Sequence, residues 1–153
     1  MRLLIVMVGK DQKDPLKEVA ESYVLRTHQR LKPEFLYVKE SKRRENPAQA
    51  MDEEGKEILR ATESCYRIAM DVNGKMFGSV ELARELERLL VEKHQPLALI
   101  IGGATGLSKN VLEKCQAKWS LSTLTLPHRL AYLTLTEQVY RAGEILRGGP
   151  YHK

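Results

Sequence analysis

Four short segments carry the residue types that could bind a ligand or do chemistry. The first is Leu99-Ile100-Ile101-Gly102-Gly103-Ala104-Thr105-Gly106-Leu107, an apolar run that breaks into a glycine-rich loop. Glycines without Cβ atoms let a ligand approach the backbone and permit positive φ, although a tight turn with no ligand uses them equally well. The spacing argues against a phosphate cradle. A P-loop needs Gly-Lys-Ser/Thr, whereas Gly106 precedes Leu107 and Gly74-Lys75 precedes Met76. A dinucleotide fingerprint needs G-x-G-x-x-G and a carboxylate about 20 residues on, and neither is present. The second segment, Trp119 to His128, alternates leucines with Ser122, Thr123 and Thr125. Its hydroxyl and backbone groups could read a purine edge while Leu121, Leu124 and Leu126 grip the faces. The same alternation is also that of a strand with one buried face. The third is the tail Tyr151-His152-Lys153, and the fourth is the basic run Lys42-Arg43-Arg44. By position alone these are a frayed end and a solvated loop.

The elements that must hold these segments follow from periodicity. Leu3 to Val8 is a continuous apolar run, the mark of a strand covered on both faces. Asp14-Pro15 opens a helix, with Asp14 as N-cap, whose apolar spacing continues to Leu31 before Lys32-Pro33. Phe35 to Val38 is a second strand. Asn46-Pro47 opens a second helix reaching about Thr62. Tyr66 to Met70 is a third strand, closed by Asp71 and a turn at Asn73-Gly74. An amphipathic helix follows Ser79, Leu97 to Ile101 is a fourth strand, and a short helix covers Lys109 to Ala117. A last helix runs from near Arg129 to Arg147 and stops at Gly148-Gly149-Pro150. Alternating strands and helices predict a single α/β domain over residues 1–153, its mainly parallel sheet flanked by helices. Ligands of such sheets bind beyond the carboxyl ends of the strands. That selects Met70-Asp71, Gly102 to Leu107, and Leu121 to Pro127.

Composition narrows the function classes. A chain of 153 residues can bury a full core without metal or disulfides. No apolar run reaches the roughly 20 residues of a membrane helix, and Leu3 to Val8 is too short for a signal-peptide core. Cys65 and Cys115 have neither metal nor redox spacing and suggest a reducing compartment, so a cytoplasmic protein without membrane or metal is expected. The net charge of +5 is uneven, with no carboxylate between Lys114 and Thr136. An anionic partner such as RNA would suit that distribution, as would any modestly basic soluble protein.

Several motifs together carry a family resemblance. Leu99-Ile100-Ile101-Gly102-Gly103, Gly106-Leu107, Leu121-Ser122 through Leu126-Pro127-His128, Glu137-Gln138-Val139-Tyr140-Arg141-Ala142 and Tyr151-His152-Lys153 closely resemble the RlmH family. These are ribosomal large-subunit RNA methyltransferases of the SPOUT superfamily, acting on N3 of a pseudouridine in 23S rRNA. The likeness also takes in Val8-Gly9-Lys10, Glu54-Gly55, Asp71 and Gly74-Lys75. It implies a SPOUT-like domain with a deep C-terminal trefoil knot, acting as a homodimer with S-adenosyl-L-methionine on 23S rRNA in the ribosome. Carried over by position, it implies a cofactor pocket of Met70, Gly102, Leu121, Ser122, Thr123, Leu124, Thr125 and Leu126. Met70 stands where Leu is common and keeps an apolar wall. Ala104-Thr105 departs from the Pro-Glu of some relatives, which removes a carboxylate from that loop.

The implied reaction needs no metal, because a sulfonium is already electrophilic. The protein must align donor and acceptor, which can supply up to roughly 7–11 kcal/mol, and must help N3 lose its proton. His128 and His152 are the proton-handling candidates, Arg141 and Lys153 could stabilise the developing oxyanion, and Tyr151 offers a face for a base. No unique base follows from this, since the proton can also leave to water. The final helix carries Leu130, Leu133, Val139, Ala142, Ile145 and Leu146, which would suit either a dimer face or a core helix. Two other functions remain open: a SPOUT methyltransferase acting on another rRNA or tRNA base, and a non-catalytic ribosome-binding protein.

Overall fold

The computed structural model describes residues 2–9 and 13–153; Lys10 of the Val8-Gly9-Lys10 motif lies outside them. Five strands, β1 (Leu3–Val8), β2 (Pro33–Val38), β3 (Tyr66–Met76), β4 (Leu97–Ile100) and β5 (Ala117–Ser120), form one sheet in the order β2-β1-β4-β3-β5. Every ladder is parallel, and Ile5 of β1 lies opposite Phe35 on one side and Leu99 on the other. Five helices fill the connections: α1 (Pro15–Arg26), α2 (Pro47–Ala61), α3 (Ser79–Glu92), α4 (Lys109–Glu113) and α5 (His128–Leu146).

The continuous apolar runs of β1 and β4 are explained by a core on each face of the sheet. Leu3, Ile5, Leu97 and Leu99 point to the face covered by α1, α3 and α5. Leu4, Val6, Ala98 and Ile100 point to the opposite face, against Ile58 of α2 and Val111 of α4. The expected caps form: Asp14 Oδ1 accepts from the Leu16 amide at 3.0 Å, and Asn46 Oδ1 from the Gln49 amide at 3.1 Å. Among the described residues no helix is long and apolar enough to cross a membrane.

Three expectations are corrected, and one left open is decided. Helix α1 stops at Arg26 rather than continuing to Leu31, because Thr27 turns to extended backbone (φ −66°, ψ 134°), while its amide and hydroxyl close the last turn on the Tyr23 carbonyl. Leu31 still reaches the core, through a turn closed on His28. Strand β3 does not end at Asp71. It bulges between Met70 and Lys75, both of which lie opposite Trp119, and continues to Met76. Gly74 permits this, since a Cβ there would fall 2.6 Å from the backbone of Lys118 and Trp119. Helix α4 is only five residues long, and Ala117 opens β5. Of the two readings open for residues 121–126, the loop holds and the strand does not, because the hydroxyls bond locally. Ser120 Oγ donates to the Ser122 carbonyl at 2.9 Å, and Ser122 Oγ accepts from the Leu124 amide at 3.0 Å.

The fit of α2 on α4 supplies a stability test. A Cβ on Gly55 would lie 2.7 Å from Ser108 Oγ and 3.0 Å from Val111 Cγ2. Ser108 cannot swing away freely, because its hydroxyl caps α4 through the Val111 amide. Gly55→Ala is therefore expected to cost about 1–3 kcal/mol despite its better helix propensity, read as a lower urea midpoint with an unchanged slope.

Candidate functional site

Beyond the carboxyl ends of β3, β4 and β5 lies a cleft of about 690 Å³, within the usual range for a small-molecule site. Its floor is Ile101, Gly102 and Gly103, continuing β4. One wall is the bulged strand at Met70, Asp71 and Val72, and the other is the loop from Ser120 to Pro127. The rim is closed by Ala104 to Leu107 and by the start of α5 at His128 and Ala131. Gly102 has no room for a side chain, since a Cβ would lie 2.5 Å from the Gly106 carbonyl carbon and 2.8 Å from the Leu107 amide nitrogen. The loop is pinned by the Gly106 amide, which donates to the Gly103 carbonyl at 3.0 Å, and Gly106 itself has a φ of +84°.

The lining is apolar with scattered hydroxyls, and among the described residues Asp71 and His128 are its ionisable side chains and no lysine or arginine lines it. Such a cleft suits an uncharged or cationic ligand with a polar edge and offers no basic clamp for phosphates. A nucleoside carrying a sulfonium fits that chemistry, whereas a nucleotide polyphosphate does not. Of the residues implied by the resemblance, Met70, Gly102, Leu121, Ser122, Leu124, Thr125 and Leu126 line the cleft. Thr123 belongs to the same loop but is not on its wall.

The implied catalytic residues are divided. His128 lines the cleft, at the first turn of α5. Arg141 lies in the second half of that helix, 13 residues on, or about 20 Å at 1.5 Å per residue, and the tail docks beside it. The tail is docked rather than frayed. The Tyr151 hydroxyl donates to Glu137 Oε1 at 2.9 Å, and its ring meets Tyr140 edge-on with centroids 4.7 Å apart. Arg141 is held by the same carboxylate, at 3.0 Å from Nε and 2.6 Å from Nη2, and its guanidinium lies 4.6 Å from the Tyr151 ring centroid. His152 Nδ1 is 3.4 Å from Arg141 Nη1, while Lys153 is exposed. The Glu137 carboxylate holds the Arg141 pKa above its ordinary value, and burial, with hydrogen bonds to Tyr23 and Glu137, raises that of Tyr151. Arg141 therefore touches both Tyr151 and His152 and does not line the cleft.

Two features had no clear sequence signal. Glu54 is buried between the loops, with Oε1 accepting from the Ser41 amide at 3.1 Å and Oε2 beside Gly103. Burial raises its pKa. A second cleft, of about 340 Å³, opens at the end of β1 and shares His128 with the first. In the basic run, Arg43 is paired with Glu53 at 2.7 Å, whereas Lys42 and Arg44 are exposed.

Comparison with known proteins agrees with this geometry. Residues 1–152 match the family described as predicted SPOUT methyltransferases. The chain is 42% identical to the ribosomal RNA large subunit methyltransferase H of Anaeromyxobacter sp. (strain Fw109-5), over 100% of both chains. It is 38% identical, again over 100% of both, to the protein of that name from Alkaliphilus oremlandii (strain OhILAs). Among solved structures it resembles a probable methyltransferase from Bordetella pertussis Tohama I with a TM-score of 0.60, 13% identity, and coverage of 92% of this chain and 95% of the other. That last likeness concerns the fold.

Proposed function

Because the chain belongs to the SPOUT methyltransferase family, and within it to the ribosomal RNA large subunit methyltransferases H, we propose that it methylates N3 of a pseudouridine in 23S rRNA on cytoplasmic ribosomes, with S-adenosyl-L-methionine held in the larger cleft. The observation that carries this reading is a cleft of this size at the strand ends that no lysine or arginine lines among the described residues. When bound, the cofactor supplies an electrophilic methyl group, so no metal is required. Gly102 and the Leu121–Leu126 loop hold the nucleoside part, and Asp71 is the carboxylate available to a cationic ligand. His128 stands where the reacting base must enter, so it takes or relays the N3 proton.

The reading also takes the protein to be a homodimer with a shared site. Within one chain, the tail is docked on Glu137, Tyr140 and Arg141, which a rise of 1.5 Å per residue sets about 14–20 Å along α5 from His128. A second copy with its α5 running antiparallel would bring that tail over the cleft. The apolar residues of α5 contribute less to this argument than their number suggests. Val139 and Ala142 are buried in the chain's own core, and Leu133, Ile145 and Leu146 pack against it, while Leu130 is exposed. The reading includes a deep trefoil knot in the C-terminal part, which rests on the family alone.

Calorimetric titration tests the cofactor assignment. S-adenosylhomocysteine should bind, and ATP and NAD should not; tighter binding of either phosphate-bearing ligand would overturn it. For RNA binding, Lys42 and Arg44 are the expected phosphate contacts. Replacing both by Ala should lower the log–log salt slope for ribosome binding by roughly 0.9 per contact, whereas Arg43→Ala, already paired with Glu53, should change it little. An unaltered slope in the double variant would leave the loop as solvated surface.

A further inference from the structure

We propose that the second cleft receives the target base and that Glu40 there selects pseudouridine over uridine by accepting its N1–H. This rests on the ribosomal methyltransferase reading. The cleft adjoins the cofactor cleft across His128, so a base seated in it can present one edge to the methyl donor. It is lined by Tyr37 and Tyr132 and carries three cations, Lys17, Arg44 and Arg129, together with two carboxylates, Asp14 and Glu40.

That mixture suits a base better than a phosphate. A phosphate would engage the cations alone, whereas a uracil ring presents N–H donors and carbonyl acceptors side by side and can pair with groups of both signs. In pseudouridine, N1–H and N3–H flank the O2 carbonyl, so N3 turned towards the cofactor leaves N1 facing the second cleft. Uridine, joined to ribose through N1, places a C–H at that position. A carboxylate acceptor therefore distinguishes the two, because a base seated over it displaces its water and only pseudouridine returns an N–H donor.

The two carboxylates of the cleft are not equivalent. Asp14 is committed, with Oδ1 capping α1 and Oδ2 3.8 Å from Arg129 Nε. Glu40 has no hydrogen-bond or ion-pair partner among the described residues. Its Oε2 lies against Gly9, 3.5 Å from where a Cβ would stand. Gly9 has a φ of +77° and its amide donates to the Val38 carbonyl at 2.8 Å, so among the described residues the turn beside Glu40 brings no side chain of its own against the carboxylate.

Single-turnover methylation with enzyme in excess would test this on ribosomes carrying either pseudouridine or uridine at the target position. Glu40 is exposed, so Glu40→Ala should fold normally and bind S-adenosylhomocysteine as the wild type does. Its rate on pseudouridine ribosomes should fall about 10- to 100-fold, as expected for a lost hydrogen bond to a charged group, with the rate on uridine ribosomes unchanged. Glu40→Gln, which keeps an acceptor oxygen, should recover part of the loss. An unchanged preference for pseudouridine in Glu40→Ala would overturn the assignment. Faster methylation of both substrates would do so too, marking the cleft as a phosphate site. A wild-type protein that methylates neither would overturn the ribosomal reading itself, and this assignment with it.

Discussion

Gly102→Ala is expected to weaken S-adenosylhomocysteine binding at least 100-fold while leaving the circular dichroism spectrum unchanged. The single added carbon would sit 2.5 Å from the Gly106 carbonyl carbon and 2.8 Å from the Gly106 carbonyl oxygen and the Leu107 amide nitrogen. These are backbone atoms, so no rotamer change relieves the clash. The segment 104–107, which forms the rim of the cleft, must move instead. A factor of 100 corresponds to about 2.7 kcal/mol, comparable to the about 1–3 kcal/mol that overpacking costs. Calorimetry reads the affinity, and a thermal melt should show a lower but still cooperative transition. Wild-type affinity in this variant would remove Gly102 from the cofactor site.

Deleting Tyr151, His152 and Lys153 is expected to reduce methyl transfer to ribosomes more than 100-fold, with cofactor affinity nearly unchanged. The tail touches no part of the cleft in its own chain. It is docked on Glu137, Tyr140 and Arg141, in the second half of α5 and away from His128 at its start. A shared site makes a sharper claim. Mixing the tail-deleted chain with Gly102→Ala and allowing subunits to exchange should restore activity, because each mixed dimer has one sound cleft facing one sound tail. If half the dimers are mixed and each regains one of two sites, roughly a quarter of the wild-type rate returns, by the effective-concentration logic of a shared assembly. Two inactive variants that stay inactive when mixed would place the tail's role, if it has one, within a single chain.

Strands β1 and β4 were legible from sequence because burial on both faces leaves an uninterrupted apolar run. The starts of α1 and α2 were legible because Asp14-Pro15 and Asn46-Pro47 are local capping signals that do form. The bulge in β3 was not. Asn73-Gly74 is an ordinary turn signal, and only the approach of β5 to Gly74 makes it part of a strand. The loop 121–126 was also ambiguous, because alternation describes a half-buried strand and a hydroxyl-bonded loop equally well. What decides is the local bonding of Ser120 and Ser122. The wall of the larger cleft could be foreseen, since ligands of parallel sheets collect at the strand ends. The second cleft could not. Its residues come from β1, α1, the segment after β2 and α5, far apart in sequence and unremarkable singly.

The most direct test of the account is methyl transfer from labelled S-adenosylmethionine to assembled ribosomes, followed by mass spectrometry of 23S rRNA. Ribosomes from a strain that makes the target pseudouridine would be compared with ribosomes from one that leaves a uridine there. The account predicts one methyl group on N3 of that pseudouridine, with strongly reduced transfer to the uridine ribosomes. Methylation confined to another base or to tRNA, or no transfer to either ribosome, would contradict it.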